Sequence, residues 1–233
     1  MAAADFDWCV DRRELAKSGF LMFDLGQELI ANTVCEIANA IGQIRPGRSG
    51  RAIEEVVPRG VAELAYPSLS AIYGRNALPW HVDTAHWATP AHYLILACIH
   101  EGTNSPSTQL LDWRDIQLTP EERETAKTAP FRVRNGRESF YSTILTPGTP
   151  FPRHDPGCME ALGDDAAALQ ARLSLGTSGD PSIVVNWRSG RVIVFDNWRY
   201  LHRRLDASNS IGRMLLRMYV GEAVSHTHHG TCE

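Results

Sequence analysis

The sequence predicts a mainly β protein with flanking helices, built as a jelly-roll or barrel-like pair of sheets. Three observations carry that expectation. From Pro79 onward the apolar residues fall into many short β-like runs, turn signals separate the runs, and only two stretches among them have helical character.

The elements follow in chain order. Gly19 to Leu25 reads as a strand and Gln27 to Ile41 as a helix, with a Gly/Arg/Pro-rich loop at Arg45 to Arg51. The later strands are expected at Ala91 to His100, Thr108 to Trp113, Phe131 to Arg134, Ser139 to Leu145, Ser182 to Trp187, Arg191 to Phe195 and Arg213 to Val220. Asn135-Gly136 and Ser189-Gly190 each lie between two such runs and read as hairpin turns, because glycine accepts the positive φ that tight turns need. Thr119-Pro120-Glu121-Glu122 matches a capping box with proline at the first helical position, so a short helix is expected to begin there. Gly157 to Leu175, rich in Ala, Leu and acidic residues, reads as a second helical insert. Without repeats, low-complexity tracts or a long linker, one domain over 1–233 is expected: a flank at 1–75, the sheet core with its inserts at 76–221, and a tail at 222–233.

Composition narrows the function. The chain has 233 residues, 43% hydrophobic and 21% charged, with 23 basic against 27 acidic residues and a net charge of -4. That balance provides no electrostatic footprint for nucleic acid or an anionic membrane, which leaves a small molecule as the expected partner. The N-terminus lacks a signal-like pattern and no run has the length of a membrane span, so a cytoplasmic protein is expected. Five scattered cysteines (Cys9, Cys35, Cys98, Cys158, Cys232) without a Cys-x-x-Cys pair read as free thiols. Lys17 and Lys127 are the only lysines, and no phosphate-binding glycine loop is present, which argues against nucleotide folds.

His81-Val82-Asp83 carries the first chemistry. In extended backbone alternate side chains share a face, so one imidazole and one carboxylate can reach the same ion. The third ligand is expected from His202, which follows the apolar strand Arg191 to Phe195 and would be delivered to a sheet edge. Two histidines and one carboxylate leave three octahedral positions open, an arrangement that suits iron(II) oxygenases, although zinc could use the same ligands. His86, His92 and His100 are rival ligands, or ordinary core or surface histidines.

Downstream, Arg213, Leu215, Arg217 and Tyr219 share one face by period-two counting, and Met214, Leu216, Met218 and Val220 share the other. Two arginines on one face point either to water or to an anion pocket, and the planar guanidinium suits a carboxylate held by two hydrogen bonds. Trp80, Trp87 and Trp198 flank the proposed ligands as substrate walls or as core packing. His226, His228, His229 and Cys232 form a metal-friendly tail whose metal binding is expected to be adventitious.

Together, His81 and Asp83, Thr108 in its Ser-Pro-Ser-Thr context, the stretch Asp196-Asn197-Trp198-Arg199-Tyr200-Leu201-His202, and Gly212-Arg213 resemble the taurine-dioxygenase and clavaminate-synthase-like group of iron(II)- and 2-oxoglutarate-dependent oxygenases, over roughly Leu78 to Gly221. The resemblance implies a double-stranded β-helix, the cupin-like jelly-roll. It also implies Fe(II) held by His81, Asp83 and His202, with 2-oxoglutarate and O2 as cosubstrates. Thr108 then helps hold 2-oxoglutarate, and either Arg213, which the taurine-dioxygenase pattern favours, or Arg217 binds its far carboxylate. The implied reaction is oxidation, in the simplest case hydroxylation, of a C–H bond in a small molecule, with decarboxylation of 2-oxoglutarate to succinate. The interval between Asp83 and His202 is short for this group. A zinc-dependent hydrolase on the same three ligands and a non-catalytic metabolite-binding β-sandwich are the competing readings.

Overall fold

A computed structural model of the chain describes residues 8–25, 31–61, 68–176 and 181–222. In order these residues form α1 (Trp8–Ser18), β1 (Phe20–Asp24), α2 (Ala31–Ile41), β2 (Gln43–Arg45), β3 (Glu54–Val56), α3 (Leu69–Tyr73), β4 (Tyr93–His100) and β5 (Thr108–Asp112). There follow α4 (Pro120–Thr128), β6 (Phe131–Asn135), β7 (Glu138–Ser142), β8 (Met159–Ala161), α5 (Asp164–Leu175), β9 (Ile183–Val185), β10 (Arg191–Asp196), β11 (Tyr200–Arg204) and β12 (Met214–Gly221). The part of the helix expected at Gln27 to Ile41 that precedes Ala31, and the His/Cys tail, lie outside the described residues. Among the described residues no helix is long and apolar enough to cross a membrane, and Cys35, Cys98 and Cys158 are free thiols.

The larger sheet has the order β1-β10-β4-β12-β2, with β3 also pairing β12, and a smaller sheet has the order β11-β5-β9. Their pairings are antiparallel. The period-two pattern explains how they pack. Leu94, Leu96 and Cys98 of β4, Ile193 and Phe195 of β10, and Leu215 and Tyr219 of β12 meet Leu110, Val185 and Tyr200 of the smaller sheet in one buried cluster. The alternate residues Ile95, Ala97, Val192, Val194, Leu216, Met218 and Val220 face outward, where Val34, Ile37, Ala38 and Ile41 of α2 cover them. Those four helix positions are spaced to form a single apolar stripe. On the far side of the smaller sheet, Leu111 and Leu201 pack with Ala126 of α4, Leu169 and Leu173 of α5, and Phe131 and Val133 of β6. Helix, sheet, sheet and a mixed outer layer therefore stack in that order.

The capping box forms as expected, with Thr119 and Glu122 each capping the other's backbone N–H. Three local expectations are corrected. The β6–β7 hairpin exists, but Asn135 pairs with Glu138 and the turn is Gly136-Arg137, with only Gly136 at positive φ (+63°). Ser189-Gly190 makes a turn but not a hairpin: β9 pairs with β5, whereas β10 lies between β1 and β4. The reason is that β10 is apolar on both faces and is covered on both only inside the larger sheet. Finally, the helix expected from Gly157 starts at Asp164, because Met159–Ala161 is drawn onto β6 and Glu160 pairs with Arg132 and Arg134.

Gly102 lies where Thr103 and Ile211 bridge, at φ +64°, and a β-carbon there would overlap the Ile211 carbonyl oxygen and the Arg213 amide nitrogen. Gly102→Ala is expected to cost about 1–3 kcal/mol of stability through the strained φ and this overlap. A thermal or urea midpoint unchanged from wild type would contradict the close approach.

Candidate metal centre

His81 and His202 exchange both backbone hydrogen bonds of an isolated antiparallel bridge: His81 N–H donates to the His202 carbonyl (3.0 Å) and His202 N–H to the His81 carbonyl (2.9 Å). Val82, between the two proposed ligands, turns into the outer core, which leaves His81 and Asp83 on the opposite face. His202 lies within β11, directly opposite Leu110 of β5, and so faces the space between the sheets. It is carried by the edge strand of the smaller sheet, after the turn that leaves β10.

His81 Nε2 stands 3.5 Å from Asp83 Oδ1, and His202 Nε2 stands 3.9 Å from the same oxygen. One ligand atom from each of the three residues lies within 4.8 Å of the others, and all three side chains are buried. Ligand atoms about 2.1 Å from one ion and at right angles to each other stand about 3 Å apart, so a small inward shift would close the set on a metal. His81 Nδ1 lies 2.9 Å from the Pro79 carbonyl, which fixes the ring and leaves Nε2 for the centre.

Asp83 is divided between two tasks. Oδ1 faces the histidines, while Oδ2 accepts from Arg217 Nη1 (3.1 Å) and lies 3.5 Å from the Tyr219 hydroxyl, which can donate to it. Burial alone would raise the carboxyl's pKa, but Arg217 and the two histidines hold it well below the carboxylate range. Burial works against a charge on His81 as well, yet Asp83, and more distantly Asp155, raise that imidazole above its ordinary value. Burial and the neighbouring His81 push His202 down to about 3.

The remaining expected residues separate clearly. Thr108 is buried, directly opposite Arg204 of β11, and accepts from Trp187 Nε1 (3.1 Å). Arg213 comes just before β12, at a register shift between Met214 and Leu215, and is 2% exposed. Nη1 donates to the Pro106 carbonyl (3.3 Å), Nε has no partner, and no carboxylate forms an ion pair with Arg213 among the described residues. Burial and the nearby Arg204 lower it to about 10. Arg217, by contrast, is already neutralised by Asp83 and by Glu54 of β3, whose carboxylate accepts from Nη2 at 2.8 Å. The two arginines expected on one strand face thus differ in kind.

Trp80 is core packing, 2% exposed, with the Arg203 guanidinium 4.4 Å from its ring centre. Trp87 packs edge-on against Tyr219, while Trp198 stacks on His92 outside the ligand cluster. His86 is held down to about 4 by burial and by Arg48 and other arginines, and neither it nor the exposed His100 joins the ligand group. Sequence reasoning missed three contributors: Asn197, Tyr219 as a partner of Asp83, and Glu54. Asn197 stands within the motif already singled out, but Glu54 sits in the flank with no local signal.

No protein-family model matches the sequence, and a search of curated proteins finds no match. Solved structures of similar shape do exist. Asparagine oxygenase in complex with Fe(II), 2S,3S-3-hydroxyasparagine and succinate aligns with a TM-score of 0.68 at 14% identity, over 93% of this chain and 78% of that one. The non-haem iron oxygenase OrfP in complex with Fe, succinate and (3S)-hydroxy-L-Arg aligns with a TM-score of 0.68 at 18% identity, over 94% and 81%. A putative alpha-ketoglutarate-dependent taurine dioxygenase from Burkholderia xenovorans aligns with a TM-score of 0.64 at 17% identity, over 92% and 83%. The chain has the mainly β fold that these iron and alpha-ketoglutarate oxygenases share.

Proposed function

We propose that the protein is an iron(II)- and 2-oxoglutarate-dependent oxygenase that oxidises, in the simplest case hydroxylates, a C–H bond of a small molecule such as an amino-acid derivative. The His/Asp/His cluster alone does not choose between this and a zinc hydrolase. The observation that carries the proposal is Arg213, a buried guanidinium that pairs with no carboxylate among the described residues and lies near enough to Arg204, two residues beyond His202 on β11, to feel its charge. A buried cation left unpaired is unfavourable, and an incoming carboxylate would relieve it. The hydrolase reading gives Arg213 no task, and the non-catalytic reading gives the buried His/Asp/His cluster none.

In this reading His81, Asp83 and His202 hold iron, and Arg213 with Thr108 receives the far carboxylate of 2-oxoglutarate. The bound metal supplies activation of O2, coupled to decarboxylation of the keto acid to succinate. The chain's own residues do the rest. Arg217 and Tyr219 hold Oδ2 of Asp83, so that Oδ1 alone is presented to the centre. Leu110, Phe195 and the neighbouring apolar side chains between the sheets keep bulk water from the buried face of the site. The facing sheets fit a double-stranded β-helix core at 76–221. The flank at 1–75 would belong to the same single domain, since β1, β2 and β3 join the larger sheet. The tail at 222–233 would carry no part of the site, and a cytoplasmic location is part of the same reading. The solved neighbours that hold hydroxylated asparagine and arginine favour an amino-acid-like substrate.

Anaerobic titration with Fe(II) and 2-oxoglutarate is expected to develop the visible charge-transfer absorption of a keto acid chelated to iron, and His81→Ala or His202→Ala should abolish it. A protein that binds zinc but never develops this band would favour the hydrolase. Arg213→Gln is expected to raise the half-saturating 2-oxoglutarate concentration about tenfold or more, the loss of one charge-assisted pair, with iron affinity little changed. If Arg217→Gln has that effect and Arg213→Gln does not, the two roles exchange.

Iron binding should also depend on pH in a defined direction. Metal requires a neutral imidazole, and only His81 has a raised pKa; His202 is already neutral well below pH 7 and Asp83 is already ionised. Iron affinity is therefore expected to fall as pH drops below the His81 pKa, with release approaching one proton per iron below that pKa. Release of about two, measured in weakly buffered solution, would mean that His202 is charged as well.

A further inference from the structure

Asn197 is completely buried in the turn between β10 and β11, and its side-chain amide is fully committed in an unusual direction. Oδ1 accepts from the Asp83 backbone N–H (3.0 Å), while Nδ2 donates to the Asp83 carbonyl (3.0 Å) and to the Ala91 carbonyl (2.9 Å). The Asn197 backbone N–H donates to the His92 carbonyl (2.8 Å), and Trp198 Nε1 donates to the Pro90 carbonyl (3.1 Å). One turn thus grips both ends of the 83–92 segment. The same turn leads, five residues later, into His202.

The side chain therefore spans the two halves of the ligand set. His81 is tied to His202 by its own bridge, but Asp83 lies beyond that bridge, at the start of a turn in which Thr84 has φ +57°. Among the described residues, both backbone hydrogen-bonding groups of Asp83 meet the same Asn197 amide, and Thr84 Oγ1 also donates to the Asp83 carbonyl (2.6 Å). Arg217 and Tyr219 orient the carboxylate, but they reach only its Oδ2 and cannot set where the Asp83 backbone lies. An amide is the group that serves here, because it donates to two carbonyls and accepts from one N–H at once; a carboxylate would place a second acceptor against those carbonyls.

We propose that Asn197 is the positioning residue that fixes the Asp83 backbone relative to His202 and so completes the metal-binding geometry. The inference rests on the metal reading of the cluster. Partners that orient metal ligands are typically worth 10–100-fold in affinity.

The test compares Asn197→Asp and Asn197→Ala with Leu169→Ala, an outer-core substitution on α5 that touches none of the Asn197 hydrogen bonds and controls for general loss of stability. Fe(II) affinity is measured anaerobically, the visible spectrum of the Co(II)-loaded protein reports ligand geometry, and thermal midpoints report folding. Both Asn197 variants are expected to bind Fe(II) at least tenfold more weakly and to change the Co(II) spectrum. Activity at saturating iron should recover to a far greater extent than iron affinity. Leu169→Ala should lower the midpoint while leaving affinity and spectrum as in wild type. The proposal is overturned if the Asn197 variants bind Fe(II) within twofold of wild type, or if their loss only matches that of Leu169→Ala. Should one Asn197 variant fail to fold, the other decides on the same two readouts. A wild-type protein that binds neither metal would overturn the metal reading itself, an outcome distinct from the failure of Asn197's role.

Discussion

The paired backbone hydrogen bonds between His81 and His202 are the constraint on which the site depends. Two imidazoles that come from opposite ends of the main body are placed side by side by main-chain geometry, before any side chain is considered. Their ring centres stand 4.2 Å apart. Because the bridge adds residue 81 beside the edge strand β11, it also closes part of that strand's free hydrogen-bonding edge. The outward turn of Val82 and the inward turn of His81 and Asp83 follow from the pleat alone.

Charge is arranged around this frame in two different ways. On one side, Asp83, Arg217 and Glu54 form a closed chain in which each ion has a partner within 3.1 Å. Such a chain orients a ligand but has little left to offer an incoming anion. On the other side, Arg213 and Arg204 sit in the interior and form no ion pair with a carboxylate among the described residues, their hydrogen bonds going to backbone carbonyls. A protein that only needed a stable interior would be better served by apolar residues at such positions. The presence or absence of a neutralising partner is the criterion on which the proposed reading gives structural support to Arg217 and ligand capture to Arg213.

Much of this was legible in the residues. Nearly continuous apolar runs marked β4 and β10, because each buries both faces, and period-two counting marked β12. The short edge elements β2, β3 and β11 were harder. β11 reads as Tyr-Leu-His-Arg-Arg, with only two aliphatic or aromatic residues, since its inward face is given over to His202 and Arg204. The candidate ligand trio could be picked out because metal chemistry restricts residue type and spacing. The charge chain behind Asp83 could not: Glu54 and Arg217 meet through a pairing of β3 with β12, and nothing in the local sequence of either records the other. Ser189-Gly190 misled for a related reason, since a tight turn specifies a change of direction but not which sheet receives the next strand.

The register Phe20↔Phe195 joins β1, near the start of the chain, to β10, near its end. Contacts so distant in sequence carry a large loop-closure entropy and belong to slow-folding topologies. During synthesis β1 must wait, with its apolar residues unpaired, until β10 has left the ribosome. Helices α1 and α2, 11 residues each, are too short to be stable alone in water, so α2's apolar stripe also waits for the sheet that buries it. The N-terminal flank is therefore secured by the late part of the chain and not by its own local structure.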